Sequence, residues 1–217
     1  MTGSVSARLE GAADQLGIDL PSSRADALAV FLALLQRWNQ TYNLTALRDP
    51  ESMLVQHGYD CLAAISPLRR SLAGIREPRV LDVGSGGGLP GAVIAIVCSE
   101  IEVSCIDTVG KKVAFLRQVA AELGLRNLLG VQGRVEEWKA QPFDVITSRA
   151  FASLGDFTAL TKSLLKPAGV WMAMKGRAPD DEIATLPRDV QVFHVEPLVV
   201  PELDAQRCLV WMRHAVD

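Results

Sequence analysis

Arg79-Val80-Leu81-Asp82-Val83-Gly84-Ser85-Gly86-Gly87-Gly88-Leu89-Pro90-Gly91 reads as a short apolar strand that breaks into a glycine-dense turn. Its acid, Asp82, stands two residues before the first glycine. Glycine permits backbone conformations and close ligand approach that a Cβ blocks. Pro90 suits the first turn of a following helix, where its missing N–H costs little. A second apolar strand, Ile101-Glu102-Val103-Ser104-Cys105-Ile106, ends at Asp107, 25 residues after Asp82. An acid at the end of a second strand can accept hydrogen bonds from both hydroxyls of a ribose. The pattern predicts a nucleoside-binding site.

Two such sites compete for it. Gly86-Gly87-Gly88-Leu89-Pro90-Gly91 formally satisfies the GxGxxG pattern of dinucleotide folds. A dinucleotide site needs its first glycine directly after the strand, so that a helix N-terminus meets the pyrophosphate. Here that glycine is Gly84, giving Gly84-x-Gly86-x-Gly88 with Asp82 just before it. The acid would repel a pyrophosphate but suits the ammonium of an amino-acid ligand. This arrangement resembles the first motif of class I S-adenosylmethionine-dependent methyltransferases, whose glycine loop lies against the methionine part and ribose of the cofactor.

The 217 residues are enough for one full α/β domain plus a small appendage. The hydrophobic content of 49% lies in the globular range. No apolar run approaches the ~20 residues that span a bilayer. Residues 1–19 lack the basic-then-apolar order of a secretory signal. Cys61, Cys98, Cys105 and Cys208 are widely spaced without a CxxC pair, so the expectation is reduced core thiols, no metal and a cytoplasmic protein. The net charge of −3 is not the footprint of a protein that grips bare nucleic acid by bulk electrostatics. Residues 1–78 carry 7 basic and 8 acidic groups, and residues 79–217 carry 15 and 17. A nucleic-acid contact must therefore come from a local patch or from a preassembled particle.

Residues 1–72 read as an N-terminal helical extension. Ala25, Leu28, Phe31, Leu32, Leu35 and Trp38 recur at helical spacing after the caps Ser22 and Ser23. Asp49-Pro50 starts another helix, expected to run towards Ile65 and stop near Pro67. From residue 73 to 217 strands and helices alternate: strands at 80–83, 101–106, 128–132, 143–148 and 169–174, helices at 89–98, 110–123 and 155–165. Gly124 fits the end of the second of these helices and Pro167 the end of the third. Such alternation predicts a parallel sheet covered on both faces. Two final β-rich runs, 190–200 and 207–213, have no helix between them and should pair antiparallel. The fold class expected is α/β, a Rossmann-like sheet, mostly parallel with an antiparallel last strand.

Several further pieces follow one another in order: Trp38-Asn39, Asn43-Leu44-Thr45, the run 81–91, Lys111-Lys112, Arg134-Val135-Glu136-Glu137, Ser148-Arg149-Ala150-Phe151 and Lys175-Gly176. Together they resemble one family, the RsmG (GidB) small-subunit ribosomal RNA guanine-N7 methyltransferases. The resemblance spans residues 38–176. It implies methylation of guanine N7 in the 530 loop of 16S rRNA, at guanine 527, with S-adenosyl-L-methionine as cofactor. It places cofactor contacts at Gly84, Leu89, Val135, Glu136 and Arg149. The wider superfamily pattern adds Asp82, Gly86, Gly88 and Asp107. The family often has proline where this chain has Gly87. The implied partner is 16S rRNA within the 30S subunit or a precursor, with no membrane and no protein partner evident.

The missing motifs agree with this chemistry. Guanine N7 has a lone pair and no proton to lose, so methylation there needs alignment rather than a general base. The chain lacks the Asn/Asp-Pro-Pro-aromatic signature used on exocyclic amines and the Pro-Cys nucleophile of pyrimidine C5 methylation. Arg149 ends the fourth strand and Lys175 the fifth, on the edge where ligands sit in open α/β sheets; both are candidates for a catalytic or RNA-facing role. Asn43, Thr45, Lys111, Lys112 and Arg177 complete the candidate RNA contacts. Trp38 reads as core, and His57, His194 and His214 as ordinary surface or satisfied histidines. Two alternatives stay open: methylation of another acceptor, such as a protein side chain, and a regulatory module that binds the cofactor without catalysis.

Overall fold

A computed structural model of the chain describes residues 2–149, 151 and 153–215, so Ala150 of the Ser-Arg-Ala-Phe run lies outside the described residues. The N-terminal part opens with α1 (Thr2–Gln15) and α2 (Ser22–Tyr42). Ser22 and Ser23 do not cap α2 but lie inside it. Pro21 holds the cap position in an extended conformation, and its carbonyl accepts the amides of Arg24 and Ala25. The stripe Ala25, Leu28, Phe31, Leu32 and Leu35 is buried as its spacing predicts. Trp38 packs its ring against Tyr42 and Phe115, with centroids at 5.0 and 5.5 Å.

Asp49 caps α3 (Pro50–Met53), its carboxylate accepting the Ser52 amide at 2.8 Å. The helical path then widens into a π-turn (Leu54–Tyr59), returns to α4 (Asp60–Ala63) and continues as α5 (Ile65–Ser71). It does not stop near Pro67, because that proline falls in the first turn of α5, where no N–H is needed.

Seven strands follow: β1 (Arg79–Val83), β2 (Glu102–Asp107), β3 (Leu128–Gln132), β4 (Phe143–Ser148), β5 (Leu165–Lys175), β6 (Val190–Leu198) and β7 (Arg207–His214). They form one sheet in the order β3-β2-β1-β4-β5-β7-β6. The first five are parallel, and β7 is antiparallel to both β5 and β6. Between them run α6 (Gly91–Val97), α7 (Gly110–Glu122), α8 (Leu154–Thr161) and α9 (Asp180–Ala184). Gly124, with φ +63°, follows the end of α7, and the Leu125 amide bonds back to the Ala120 carbonyl.

Two expectations fail around Pro167. The helix expected over 155–165 ends as α8 at Thr161, followed by a 3₁₀ turn (Lys162–Leu164), and Pro167 lies inside β5. The β4–β5 register shifts there, from Phe143 opposite Leu165 to Val145 opposite Val170. A proline, which lacks an N–H for the ladder, is tolerated at such an irregularity.

Side-chain alternation along β1 divides the core. Val80 joins the layer under α6, α7 and the N-terminal helices, with Phe31, Leu35, Ile94 and Phe115. Leu81 and Val83 join the opposite layer, with Phe143, Phe157 and Trp171. The N-terminal helices thus share a core with the sheet and cannot be stripped from it without exposing Leu28, Phe31 and Leu35, each worth about 2 kcal/mol of burial. No helix among the described residues is long and apolar enough to cross a membrane.

Candidate active site

The bend after β1 is tied down by its neighbours. Gly84 and Ser85 donate their amides to the Ile106 carbonyl at 2.9 and 3.3 Å, and Gly88 and Leu89 donate theirs to the Ser85 carbonyl at 2.7 and 3.2 Å. Gly84, Gly86 and Gly88 have φ of +66°, +55° and +81°, the left-handed region that glycine enters without penalty. Their surroundings differ. A Cβ on Gly84 would meet no atom within 4 Å, whereas on Gly88 it would come within 2.6 Å of Leu116 Cδ2. Gly84 therefore faces open space, and Gly88 is required by packing. At Gly87 a Cβ would approach Leu35 Cδ1 to 2.7 Å, so in this chain a leucine of α2 occupies the room a proline would use. Leu89 is buried against the core.

Asp82 lies beneath this bend rather than at its surface. It is fully enclosed; Oδ2 accepts the Gly91 amide at 2.8 Å, and Oδ1 has no hydrogen-bond partner among the described residues. Burial pushes its carboxyl up to about 7, with the Gly91 N–H and Arg149 opposing and Asp107 adding to the rise. Gly91 makes this arrangement possible, since a Cβ there would run into Cys105 Sγ and reach 2.8 Å from Asp82 Oδ2. Asp107, also buried, accepts the Val109 amide on Oδ1 at 2.9 Å and the Gly86 amide on Oδ2 at 3.0 Å. Lys112 sits 3.4 Å from the same Oδ2 and neutralises it, and Lys111 is exposed on the first turn of α7. Past β3, Val135 is buried and Glu136 is exposed. The Glu136 carboxyl is held below its usual range by its own backbone N–H and then by Arg134, whose Nε donates at 2.7 Å.

The sheet order reverses between β1 and β4, the point where open α/β sheets hold their ligands. Ser148 Oγ ties the two strand ends together by donating to the Val83 carbonyl at 2.9 Å. Beside that junction opens a cleft of about 420 Å³ lined by Thr45, His57, Asp60, Arg149, Lys175 and Arg207 among others. The loop carrying Thr45 touches the glycine bend, with the Leu44 carbonyl 3.8 Å from where a Gly86 Cβ would stand. Buried Asn39 shapes this loop, accepting the Thr45 amide at 2.9 Å and donating to the Leu47 carbonyl at 2.7 Å.

Arg149 is gripped on several sides. Its Nη1 donates to the Gln56 carbonyl and to His57 Nδ1, both at 3.0 Å, and lies 3.6 Å from Asp60 Oδ2. Arg207 Nε donates to the other Asp60 oxygen at 3.1 Å. Burial pushes the Asp60 carboxyl up, and the two guanidiniums pull it back. His57 is pushed down to about 4 by burial first and the Arg149 charge second, so its imidazole is neutral. Its Nε2 stands 2.7 Å from Thr45 Oγ1. Lys175 Nζ donates to both Glu182 oxygens at 2.9 Å.

The structure thus brings Thr45, Arg149 and Lys175 into one cleft. It leaves the other RNA candidates outside it: Lys112 beside Asp107, Lys111 on α7, Asn43 on the loop surface, where it accepts from Arg48 at 2.7 Å, and Arg177 on an adjoining acidic groove with Asp180 and Asp181. His57, Asp60, Arg207 and Asn39 are wall or support residues that the sequence reading passed over. The π-turn presents Gln56 and His57 to the cleft, and such turns concentrate at functional sites. A period of 3.6 does not reveal it. The antiparallel pairing expected for the last two strands sets Arg207 opposite Leu198; only the β5–β7 register, with Cys208 opposite Lys175, carries Arg207 to the cleft.

A family model described as rRNA small subunit methyltransferase G matches residues 24–210. The ribosomal RNA small subunit methyltransferase G of Leptothrix cholodnii is 58% identical over 201 residues, covering 93% of this chain and 92% of the relative. That of Acidovorax sp. (strain JS42) is 57% identical over 212 residues, covering 94% and 93%. Among solved structures, the glycopeptide N-methyltransferase MtfA complexed with sinefungin aligns with TM-score 0.59 at 13% identity, over 72% of this chain and 94% of that one. A SAM-dependent methyltransferase from Aquifex aeolicus aligns with TM-score 0.54 at 19% identity, over 76% and 98%. At such identities these two show the fold alone.

Proposed function

This chain belongs to the rRNA small subunit methyltransferase G family and is an S-adenosylmethionine-dependent rRNA methyltransferase, and we propose that its target atom is N7 of guanine 527 in 16S rRNA, within the 30S subunit or a precursor in the cytoplasm. The observation that supports the reading is the cleft at the β1–β4 junction. It offers donors beside the glycine bend, and its two proton acceptors are already engaged, His57 by Arg149 and Thr45 and Asp60 by Arg149 and Arg207.

The bend fits the cofactor. Gly84 leaves open space where any side chain would project, and the Asp82 and Asp107 carboxylates hold the bend from below and behind. We assign cofactor binding to the backbone of Gly84, Gly86 and Leu89, to Asp107, and to Val135 and Glu136 past β3. Gly88 and Asp82 act by shaping the bend. Bound there, S-adenosylmethionine supplies a methyl group on a sulfonium.

Everything else falls to the chain. Guanine N7 carries a lone pair and no proton, so the residues of the cleft need only orient the base and keep water away. Positive charge builds on the ring as N7 gains its methyl. Asp60, lying between Arg149 and Arg207, offsets one of the two positive charges in the wall, and the neutral His57 adds none. Arg149 and Lys175 hold phosphate or base edges at the rim. Residues 1–72 serve as the extension that supplies Thr45, His57 and Asp60, and residues 73–217 as the cofactor-binding domain.

The test is direct. Purified protein, labelled S-adenosylmethionine and undermethylated 30S subunits should give 16S rRNA labelled in 7-methylguanine on nucleoside digestion. Label in another nucleoside, or in ribosomal protein, would refute the assignment.

A further inference from the structure

We propose that Thr45, held by His57, donates to O6 of the target guanine and so accepts guanine and rejects adenine; this rests on the guanine reading above. The argument is an accounting of protons. A guanidinium has donors and no acceptor. The Gln56 carbonyl lies 3.0 Å from both Arg149 Nη1 and His57 Nδ1, and Nη1 is itself 3.0 Å from Nδ1. A hydrogen on Nδ1 would be set against the guanidinium N–H, so Nη1 supplies the hydrogen to the carbonyl and Nδ1 accepts. A neutral imidazole that accepts at Nδ1 carries its hydrogen on Nε2, which then donates to Thr45 Oγ1 at 2.7 Å. The Leu47 amide donates to the same oxygen at 3.3 Å. Both lone pairs of the hydroxyl are thereby engaged. Its one proton meets no acceptor among the described residues, and Thr45 lines the cleft.

An unrestrained hydroxyl accepts as readily as it donates and cannot tell an oxo group from an amino group. The two donors on Thr45 Oγ1 remove that freedom. The major-groove edge of guanine presents N7 and O6 as acceptors, whereas adenine presents N7 and an amino donor. N7 must keep its lone pair for the methyl, which leaves O6 to receive the hydroxyl proton. Adenine would set its amino group against a fixed donor. Of the cations nearby, Arg149 commits Nη1 to Gln56, His57 and Asp60 and Lys175 bonds both Glu182 oxygens, so the donors each has left serve phosphate or base edges at the rim rather than O6. Burial keeps His57 uncharged, so the tautomer persists through the neutral range. His57 is in this sense a positioning residue.

The experiment reconstitutes 30S subunits with guanine or 2-aminopurine at the target position. The analogue keeps N7 and replaces O6 by hydrogen. Single-turnover methyl transfer is then followed for the unmodified protein, Thr45→Val and Thr45→Ser. The unmodified protein should be slower on 2-aminopurine by about tenfold or more, the effect of one donor left unpaired. Thr45→Val should show a similar loss on guanine and little further loss on 2-aminopurine, a non-additivity that a merely misfolded variant does not produce. Thr45→Ser should recover to within a few-fold on guanine. Equal rates of the unmodified protein on the two RNAs, a comparison that needs no variant, would overturn the proposal. So would a Thr45→Val that retains the full discrimination. Failure of the unmodified protein to label any guanine would overturn both this proposal and the reading it rests on, which separates the two cases.

Discussion

Asp107 accepts the Gly86 amide on one carboxylate oxygen and the Val109 amide on the other, at 3.0 and 2.9 Å, so the acid that closes β2 fastens the glycine bend to the start of α7. Asp107→Ala releases both amides and strands the Lys112 ammonium. Two hydrogen bonds of about 1 kcal/mol each are lost, and the melting temperature should fall by roughly 4–8 °C. Calorimetry with S-adenosylhomocysteine should show affinity reduced more than tenfold. Unchanged affinity would detach Asp107 from the cofactor site.

Glycine substitutions distinguish binding from packing. Gly84→Val adds strain of roughly 1–2 kcal/mol at φ +66° but no clash, so the fold should survive while cofactor affinity collapses. Gly91→Val drives a side chain into Cys105 and Asp82, so it should destabilise by about 3 kcal/mol or more. Urea denaturation beside calorimetry reads both. A Gly84→Val that unfolds as readily as Gly91→Val would argue that the bend is structural only.

The sheet was legible because its periodicity is simple. Strands 80–83, 101–106, 128–132 and 143–148 sit between glycine and proline breaks, and the structure moves their ends by a residue at most. Pro167 misled because a proline reads as a helix stop, and only the β4–β5 irregularity shows how a strand accommodates it. The glycine bend was equally open to reading. The opposite wall was not. His57 reaches the cleft from a π-turn and Asp60 from the helix that follows it, and the turn depends on tertiary packing around residues 54–59 and leaves no local signature. Lys112 looked like a phosphate ligand until the fold set it beside Asp107.

Arg149 and Lys175 should separate by stability. Arg149→Ala leaves the buried Asp60 carboxylate with Arg207 alone, a loss of about 3 kcal/mol, together with loss of turnover on subunits. Lys175→Ala removes a rim ion pair with Glu182, so melting should hardly move while kcat/KM on subunits falls about tenfold or more. Unchanged turnover in both would place the RNA face elsewhere.

His57 gives a pH signature. Its pKa is about 4 in the fold against an ordinary 6.5, so between these values the unfolded chain binds more protons and stability falls as pH drops. Asp82, raised to about 7, acts oppositely: its contribution is present at low pH and is lost as pH rises towards 7. Comparing the protein with His57→Gln cancels Asp82. The stability difference between them should shift by about 2 kcal/mol against the histidine protein from pH 7.5 to pH 5. A difference independent of pH would mean that His57 is not buried as a neutral base.

The most direct measurement is strand scission at 7-methylguanine by borohydride and aniline in 16S rRNA, taken from cells with the gene, without it, and without it but carrying this chain. A break at guanine 527 that vanishes on deletion and returns with this chain is the predicted result. A break that persists in the deletion strain would contradict the account.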